Sequence, residues 1–326
     1  MPEHGGNLRD AARRYGDQDW LDLSAGLNPH WYPAPPLPGN AWHRLPEPDA
    51  ALTAAACAYY GAPALLAVAG TQAAIQALPR LRAPSRIAVS APSYAEHAHH
   101  WSLHGHTLRE VPYAALAGAV AESDVVVVCN PNNPTGAVIP RAELLQWADV
   151  LAARGGWLVV DEAFADVEDA HSVADQAGRP GLIVLRSVGK FFGLAGLRLG
   201  FVAADHALLG RLDDELGPWQ VSGPAQLVGK AALLDTAWQA RTRAALRGQG
   251  ERLHGLLAAH GIASSGTSLF RWWPEAEAEA FHEHMARRGI WVRLFRTGPR
   301  GIRLGLPPDE TSWLRLGGAL EEWRTR

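Results

Sequence analysis

Lysine is scarce in this chain. Of its 30 basic side chains all but two are arginine, and the exceptions are Lys190 and Lys230. Arginine stays protonated and cannot serve as an amine nucleophile, so chemistry that needs a side-chain amine has two candidates. Lys190 stands in Ser187-Val188-Gly189-Lys190, directly after the apolar run LIVLR and before Phe191, Phe192 and Gly193. Apolar neighbours strip water from an ammonium group and lower its pKa, which favours the reactive amine. Lys230 lies inside VGKAAL, a mid-helix pattern, and reads as structural.

Three further motifs carry groups that such an amine could work with. Asp161 and Glu162 open DEAF after the run GWLVV. Asn130-Pro131-Asn132-Asn133-Pro134-Thr135-Gly136 follows DVVVVC. As a turn it is overbuilt: Pro134 fixes the chain while Asn133 keeps a donor and an acceptor for a ligand. Gly70-Thr71-Gln72 stands where a helix begins, and free N–H groups with the helix dipole favour an anion there. Ser187 and Arg198 are phosphate ligands by chemistry, Arg198 because its planar fork matches a phosphate. Each motif has a bland reading as a strand terminus, a rigid turn or an ordinary helix start. Together they are an amine, a carboxylate, an amide and an anion cradle, which is what pyridoxal 5'-phosphate requires.

The elements that must position these groups alternate. Helices are predicted over 49–60, 71–78, 94–103 and 143–153, with Gly61 closing the first. Strands are predicted over 86–90, 107–111, 124–129, 156–161, 182–186 and 198–202. Several are nearly continuous in apolar or β-branched residues, as strands buried on both faces are. This alternation means a mostly parallel sheet covered by helices. In open α/β sheets ligands bind at the carboxyl ends of the strands, where Asn133, Asp161 and Lys190 fall. Residues 1–48 read as an arm: a short helix near 7–15, then LDLSAGLNP, then a proline-rich stretch over 29–48 expected to form no regular element. Residues 49–235 form the large domain. The pattern changes after about residue 221, with long helices over 222–238 and 240–260; residues 236–326 are expected to form a smaller α+β domain, with strands over 268–273, 290–294 and 301–304, and helices over 275–288 and from 307 to about 320.

Composition removes other classes. A chain of 326 residues with 48% apolar and 19% charged content is globular. Its net charge of -3 argues against nucleic acid as a partner. No apolar run of membrane-spanning length and no signal peptide is visible, so a cytoplasmic protein without membrane contact is expected. Cys57 and Cys129 read as buried apolar residues, with no disulfide scaffold. His97, His99, His100, His104 and His106 offer imidazoles for a zinc site, but no HExxH-type carboxylate accompanies them. GPAQLVGKA has the wrong glycine spacing for a P-loop. Thirteen tryptophans could make an interaction surface, but many stand singly in apolar patterns.

The chain resembles the class I/II aminotransferases of pyridoxal-phosphate fold type I. The motifs that carry the resemblance run nearly end to end: HGGN at 4–7, LDLSAGLNP at 21–29, AGTQAAI at 69–75, APSY at 91–94, NPNNPTG at 130–136, DEAF at 161–164, SVGKFFGLAGLRLGF at 187–201 and GIRLGL at 301–306. Within that superfamily it is most similar to the branch of L-threonine-O-3-phosphate decarboxylases, and next to the histidinol-phosphate aminotransferases. The resemblance implies a three-layer α/β/α large domain on a mostly parallel, seven-stranded type of sheet, and a homodimer.

It also implies roles. Lys190 resembles the lysine that holds the cofactor aldehyde, and Asp161 the partner of the pyridine nitrogen. Asn133 resembles the ligand of the phenolic oxygen and would also touch substrate, and Tyr94 resembles the aromatic stacked on the ring. Gly70, Thr71, Gln72, Ser187 and Arg198 correspond to the phosphate site. Arg303 resembles the clamp for the substrate carboxylate, and Gly26 or Asn28 would touch substrate from the arm. His4, Gly5 and Arg293 correspond to groups that hold a substrate phosphate. Tyr32 or Tyr59 would reach a partner subunit's cofactor. Most aminotransferases of this type read DEAY where this chain has Phe164, and DEAF with HGGN points to the decarboxylase branch. The implied reaction is decarboxylation of L-threonine O-3-phosphate to (R)-1-amino-2-propanol O-2-phosphate and CO2, for cobalamin biosynthesis. The alternative is amino-group transfer from histidinol phosphate or a related amino acid.

Overall fold

In the computed structural model, residues 2, 4–296 and 300–325 are described. The chain divides into two compact units, one of Trp31–Asn133 and Ala137–Arg241, the other of Met1–His30, Pro134–Gly136 and Thr242–Arg326.

The first unit is built on seven strands. Their order across the sheet is Leu65–Val68, Gly200–Ala203, Leu182–Ser187, Trp157–Asp161, Val125–Cys129, Arg86–Ala91 and Thr107–Pro112. Only Gly200–Ala203 runs against its neighbours; the other pairings are parallel. Val125–Cys129 and Trp157–Asp161 are buried at every position, as their apolar runs require. Helices pack on this sheet in the expected α/β/α layers, among them Thr71–Ala77, Ala95–Leu103 and Arg141–Ala152. One core cluster gathers Val89, Val127, Val159, Ile183 and Val202 with Trp101. Register places Cys129 opposite Asp161, and Asp161 opposite Leu185. Three neighbouring strands therefore end together, and the chemistry-bearing turns leave from those ends.

The second unit holds an antiparallel sheet in the order Arg293–Phe295, Gly301–Gly305, Phe270–Pro274 and Ser265–Thr267. It also holds a parallel pair, Leu21–Asp22 with Ile290–Trp291. Its helices are Leu8–Tyr15, Ala278–Ala286, Glu310–Arg324 and most of Thr236–Ala259. Trp291 packs edge-on against Tyr15 and Trp20, which ties the start of the chain to this unit.

Several expectations need correction. Leu65–Val68 is a strand and His206–Leu216 a helix, and neither was expected. The proline-rich stretch contains one helical turn, Asn40–His43. Residues 290–294 are not one strand: Val292 separates two strands that belong to different sheets. The helix expected over 275–288 starts only at Ala278. Cys57 is half-buried, whereas Cys129 is buried.

Candidate active site

A cavity of about 120 Å³ opens at the carboxyl ends of the parallel strands. Its lining includes Gly70, Thr71, Gln72, Tyr94, Asn133, Asp161, Ser187, Lys190 and Arg198. All of the residues expected around a cofactor thus meet in one place within one unit.

The local folding that delivers them is specific. In NPNNPTG the asparagines divide their work. Asn130 braces the turn, accepting from the Ile139 N–H at 2.8 Å and from the Tyr113 hydroxyl at 3.0 Å. Asn132 donates to the Pro92 carbonyl at 2.9 Å. Asn133 is the one that lines the cavity. DEAF divides similarly. Glu162 turns away into a buried ion network, where Arg186 bonds both it and Asp166 and lies over the Tyr60 ring. Ser172 and the Val173 N–H also donate to Glu162. Asp161 faces the cavity and is 5% exposed.

Behind Asp161 stands a group that sequence reasoning placed in a histidine cluster without finding its partner. His97 Nε2 lies 2.9 Å from Asp161 Oδ2, and the Cys129 thiol lies 3.9 Å from the same oxygen. Burial alone would depress the imidazole pKa, but Asp161 and Cys129 outweigh it and hold it up at about 10. A protonated His97 sets a positive charge directly against the buried Asp161 carboxylate. The signal was available: His97 follows Tyr94 by three residues, one turn along the helix. The other histidines of the cluster go elsewhere, His100 to Glu96 and His106 to the Pro79 carbonyl.

The amine and the anion cradle complete the cavity. The Lys190 ammonium stands 5.4 Å above the Phe164 ring, so the phenylalanine that replaces a tyrosine forms an apolar wall beneath the amine. Lys230 is the structural lysine, paired with Asp49 at 2.6 Å. Gly70 precedes the helix with φ +75°, and a Cβ there would stand 2.6 Å from a nitrogen of Arg198. Only glycine lets the guanidinium lie against the start of that helix. The Gln72 side chain is engaged with Glu96 and Tyr94, so its offer to an anion is its backbone N–H. Ser187 Oγ accepts from the Gly189 N–H at 3.2 Å, which sets the turn before Lys190. A buried carboxylate with its own counter-charge, a cradle that a Cβ would fill and one amine fit pyridoxal phosphate.

Of the residues expected to touch substrate, Asn133 lines this first cavity and the others lie in the second unit. His4, Gly5 and Arg293 line one cavity of about 400 Å³, together with Ser24, His282 and Arg296. Ser24 was not anticipated. Its hydroxyl accepts from the Gly6 N–H at 2.6 Å and donates to Asp22, and its carbonyl accepts from Arg303 at 2.6 Å. The Asp-x-Ser spacing in LDLS was its signal. Arg303 and Arg293 are directly opposed on adjacent strands. Burial, then the neighbouring Arg293 charge, pushes the Arg303 pKa down. Gly26 has φ +61°, and a Cβ there would sit 3.6 Å from the Arg303 guanidinium carbon. Asn28 is buried and accepts from the His30 N–H at 2.9 Å. Arg303, Gly26 and Asn28 line neither of these two cavities.

Residues 29–317 match the family model for aminotransferase class I and II. The chain belongs to that family. It is 51% identical to a threonine-phosphate decarboxylase of Pseudomonas aeruginosa, over 98% of this chain and 97% of the relative. It is 45% identical to one from Sinorhizobium sp, over 97% of each chain. The same fold occurs in histidinol-phosphate aminotransferase from Sinorhizobium meliloti in complex with pyridoxal-5'-phosphate. That match has a TM-score of 0.85 at 21% identity, and covers 100% of this chain and 95% of that one.

Proposed function

We infer that this protein is a pyridoxal-phosphate-dependent decarboxylase that converts L-threonine O-3-phosphate to (R)-1-amino-2-propanol O-2-phosphate and CO2. One observation carries the reading: the complete cofactor lining converges in a chain that matches a threonine-phosphate decarboxylase over nearly all its length. Supplying cobalamin biosynthesis is the role that goes with this reaction.

Lys190 would hold the cofactor through its amine, Asp161 and Asn133 would bind its ring, and Thr71, Gln72, Ser187 and Arg198 would bind its phosphate. Pyridoxal phosphate supplies an aldehyde that condenses with amines and a ring that accepts the electron pair of the bond that breaks. This chain's own residues choose the bond. Arg303 binds the substrate carboxylate by its fork, with Gly26 leaving room beside it. His4, Gly5 and Arg293 bind the substrate phosphate. A substrate held at both anionic ends would have its torsions fixed, and that would select which bond at Cα breaks. With the carboxylate bond so selected, CO2 would leave and a proton would take its position, with Lys190 Nζ the group that would hold that proton. With the Cα–H bond so selected, the same residues would begin amino-group transfer.

Among the described residues no helix is long and apolar enough to cross a membrane. A cytoplasmic location fits this and the sequence. A homodimer is part of the proposal: Trp31, Trp42 and Trp219 are 68%, 71% and 60% exposed on the first unit, unusually open for such large apolar groups. Tyr32 is buried edge-on against Trp238 within its own unit, so Tyr59, which is half-buried, is the better tyrosine to reach a second subunit.

The test is a product assay on the cofactor-loaded protein, with phosphothreonine and histidinol phosphate side by side. The proposal predicts CO2 and a phosphorylated amino alcohol from the first, with no keto acid needed. Amino-group transfer from histidinol phosphate, without CO2 from phosphothreonine, would replace it with the aminotransferase reading.

A further inference from the structure

The helix Ala95–Leu103 carries a carboxylate that the chemistry above does not use. Glu96 is 6% exposed, a depth at which a carboxylate is rarely found without partners. Its Oε2 accepts from Gln72 Nε2 at 2.6 Å and bonds His100 Nε2 at 3.0 Å. The two nitrogens converge on one oxygen, which brings them within 3.3 Å of each other. A carboxylate oxygen can only accept, so the 3.0 Å contact places the His100 proton on Nε2. The other end of the Gln72 amide, Oε1, accepts from the Tyr94 hydroxyl at 3.3 Å. Tyr94 lines the cofactor cavity.

The direction of these bonds matters more than their number. An amide can point either way, whereas a carboxylate only accepts. Glu96 therefore demands Nε2, and this presents Oε1 to the tyrosine. The phenol then donates to Gln72, a second residue of the cavity wall, and that bond ties its ring to the amide. We propose that Glu96, supported by His100, is a positioning residue for Tyr94: it fixes the orientation of the Gln72 amide, and through that amide the ring that faces the cofactor. The proposal rests on the reading that this cavity binds pyridoxal phosphate, and is independent of which amino acid is the substrate.

The test is a double-mutant cycle read on the dissociation constant of pyridoxal phosphate. It is followed by the visible band and the circular dichroism of the holoenzyme on serial dilution. Glu96→Gln keeps the shape but adds a donor, so Gln72 is no longer oriented. It should weaken cofactor binding about fivefold and alter the circular dichroism, the worth of one neutral hydrogen bond. Tyr94→Phe should have its own effect, and adding Glu96→Gln to it should change nothing more, because the hydroxyl through which Glu96 acts is already gone. Gln72→Met, which removes the amide, should reproduce Glu96→Gln and also be silent beside Tyr94→Phe. It carries the test if Glu96→Gln does not fold. Effects that multiply in the double variants, or single variants that bind the cofactor as the wild type does, overturn the proposal. A wild-type protein that binds no pyridoxal phosphate would instead overturn the reading of the cavity.

Discussion

The two units handle buried charge in opposite ways. Around the seven-stranded sheet, Asp161 is matched by His97, and Glu162 and Asp166 by Arg186. In the other unit, Arg293 and Arg303 oppose each other across adjacent strands, and Ser24 meets Arg303 with a neutral carbonyl. Like charges directly opposite on an antiparallel pair repel. Burying one of them adds a desolvation cost, visible in the depressed Arg303 pKa. The first region brings its own counter-charges and is set for a resident cofactor. In the second, burial and the Arg293 charge outweigh Asp22, the acidic group that acts on Arg303.

Variants can break this contrast. The largest effect belongs to Lys190→Ala. It should abolish the visible band of the bound cofactor and reduce turnover by at least about 1,000-fold, the scale on which removing a positioned acid–base group acts. Retention of both would detach the amine from the site. Next, Arg303→Lys keeps the charge and loses the fork. It should raise KM for phosphothreonine by about tenfold to a hundredfold, the worth of hydrogen bonds between charged groups, and leave the cofactor dissociation constant alone. Equal losses in both constants would show that the two regions do not divide the work.

The smallest effect concerns the pair behind the cofactor cavity. Because the His97 pKa is raised from 6.5 to about 10, the folded state binds that proton more tightly than the unfolded chain. The resulting stability is complete below about pH 6.5 and is lost as pH rises through about 10. The Tm gap between wild type and His97→Asn should therefore be widest at neutral or lower pH and close at alkaline pH. A gap that widens with pH would mean that His97 is neutral beside Asp161.

The convergence of these residues on one cavity was legible because they follow runs such as VVVVC, WLVVD and LIVLRS. In such a chain the residue after a buried parallel strand is placed by the strand itself. The pattern failed where pairing is distant or the local signal is mild. Leu65–Val68 has little β-branched character and follows Pro63. Residues 290–294 look uniform, yet Ile290–Trp291 pairs with Leu21–Asp22 and Arg293–Phe295 with Gly301–Gly305. His97, Glu96 and Ser24 escaped because each is defined by a partner on another element, Asp161, Gln72 and Arg303 respectively. Types and spacing name the groups that can react; tertiary contacts decide which neighbours hold them.

The central claim is that the Cα–carboxylate bond is the one that breaks. Phosphothreonine carrying deuterium at Cα, turned over in ordinary water, tests it directly. Decarboxylation predicts a phosphorylated aminopropanol that retains its deuterium, with one CO2 released for each molecule formed. A product that has lost the deuterium while keeping its carboxylate would contradict the account.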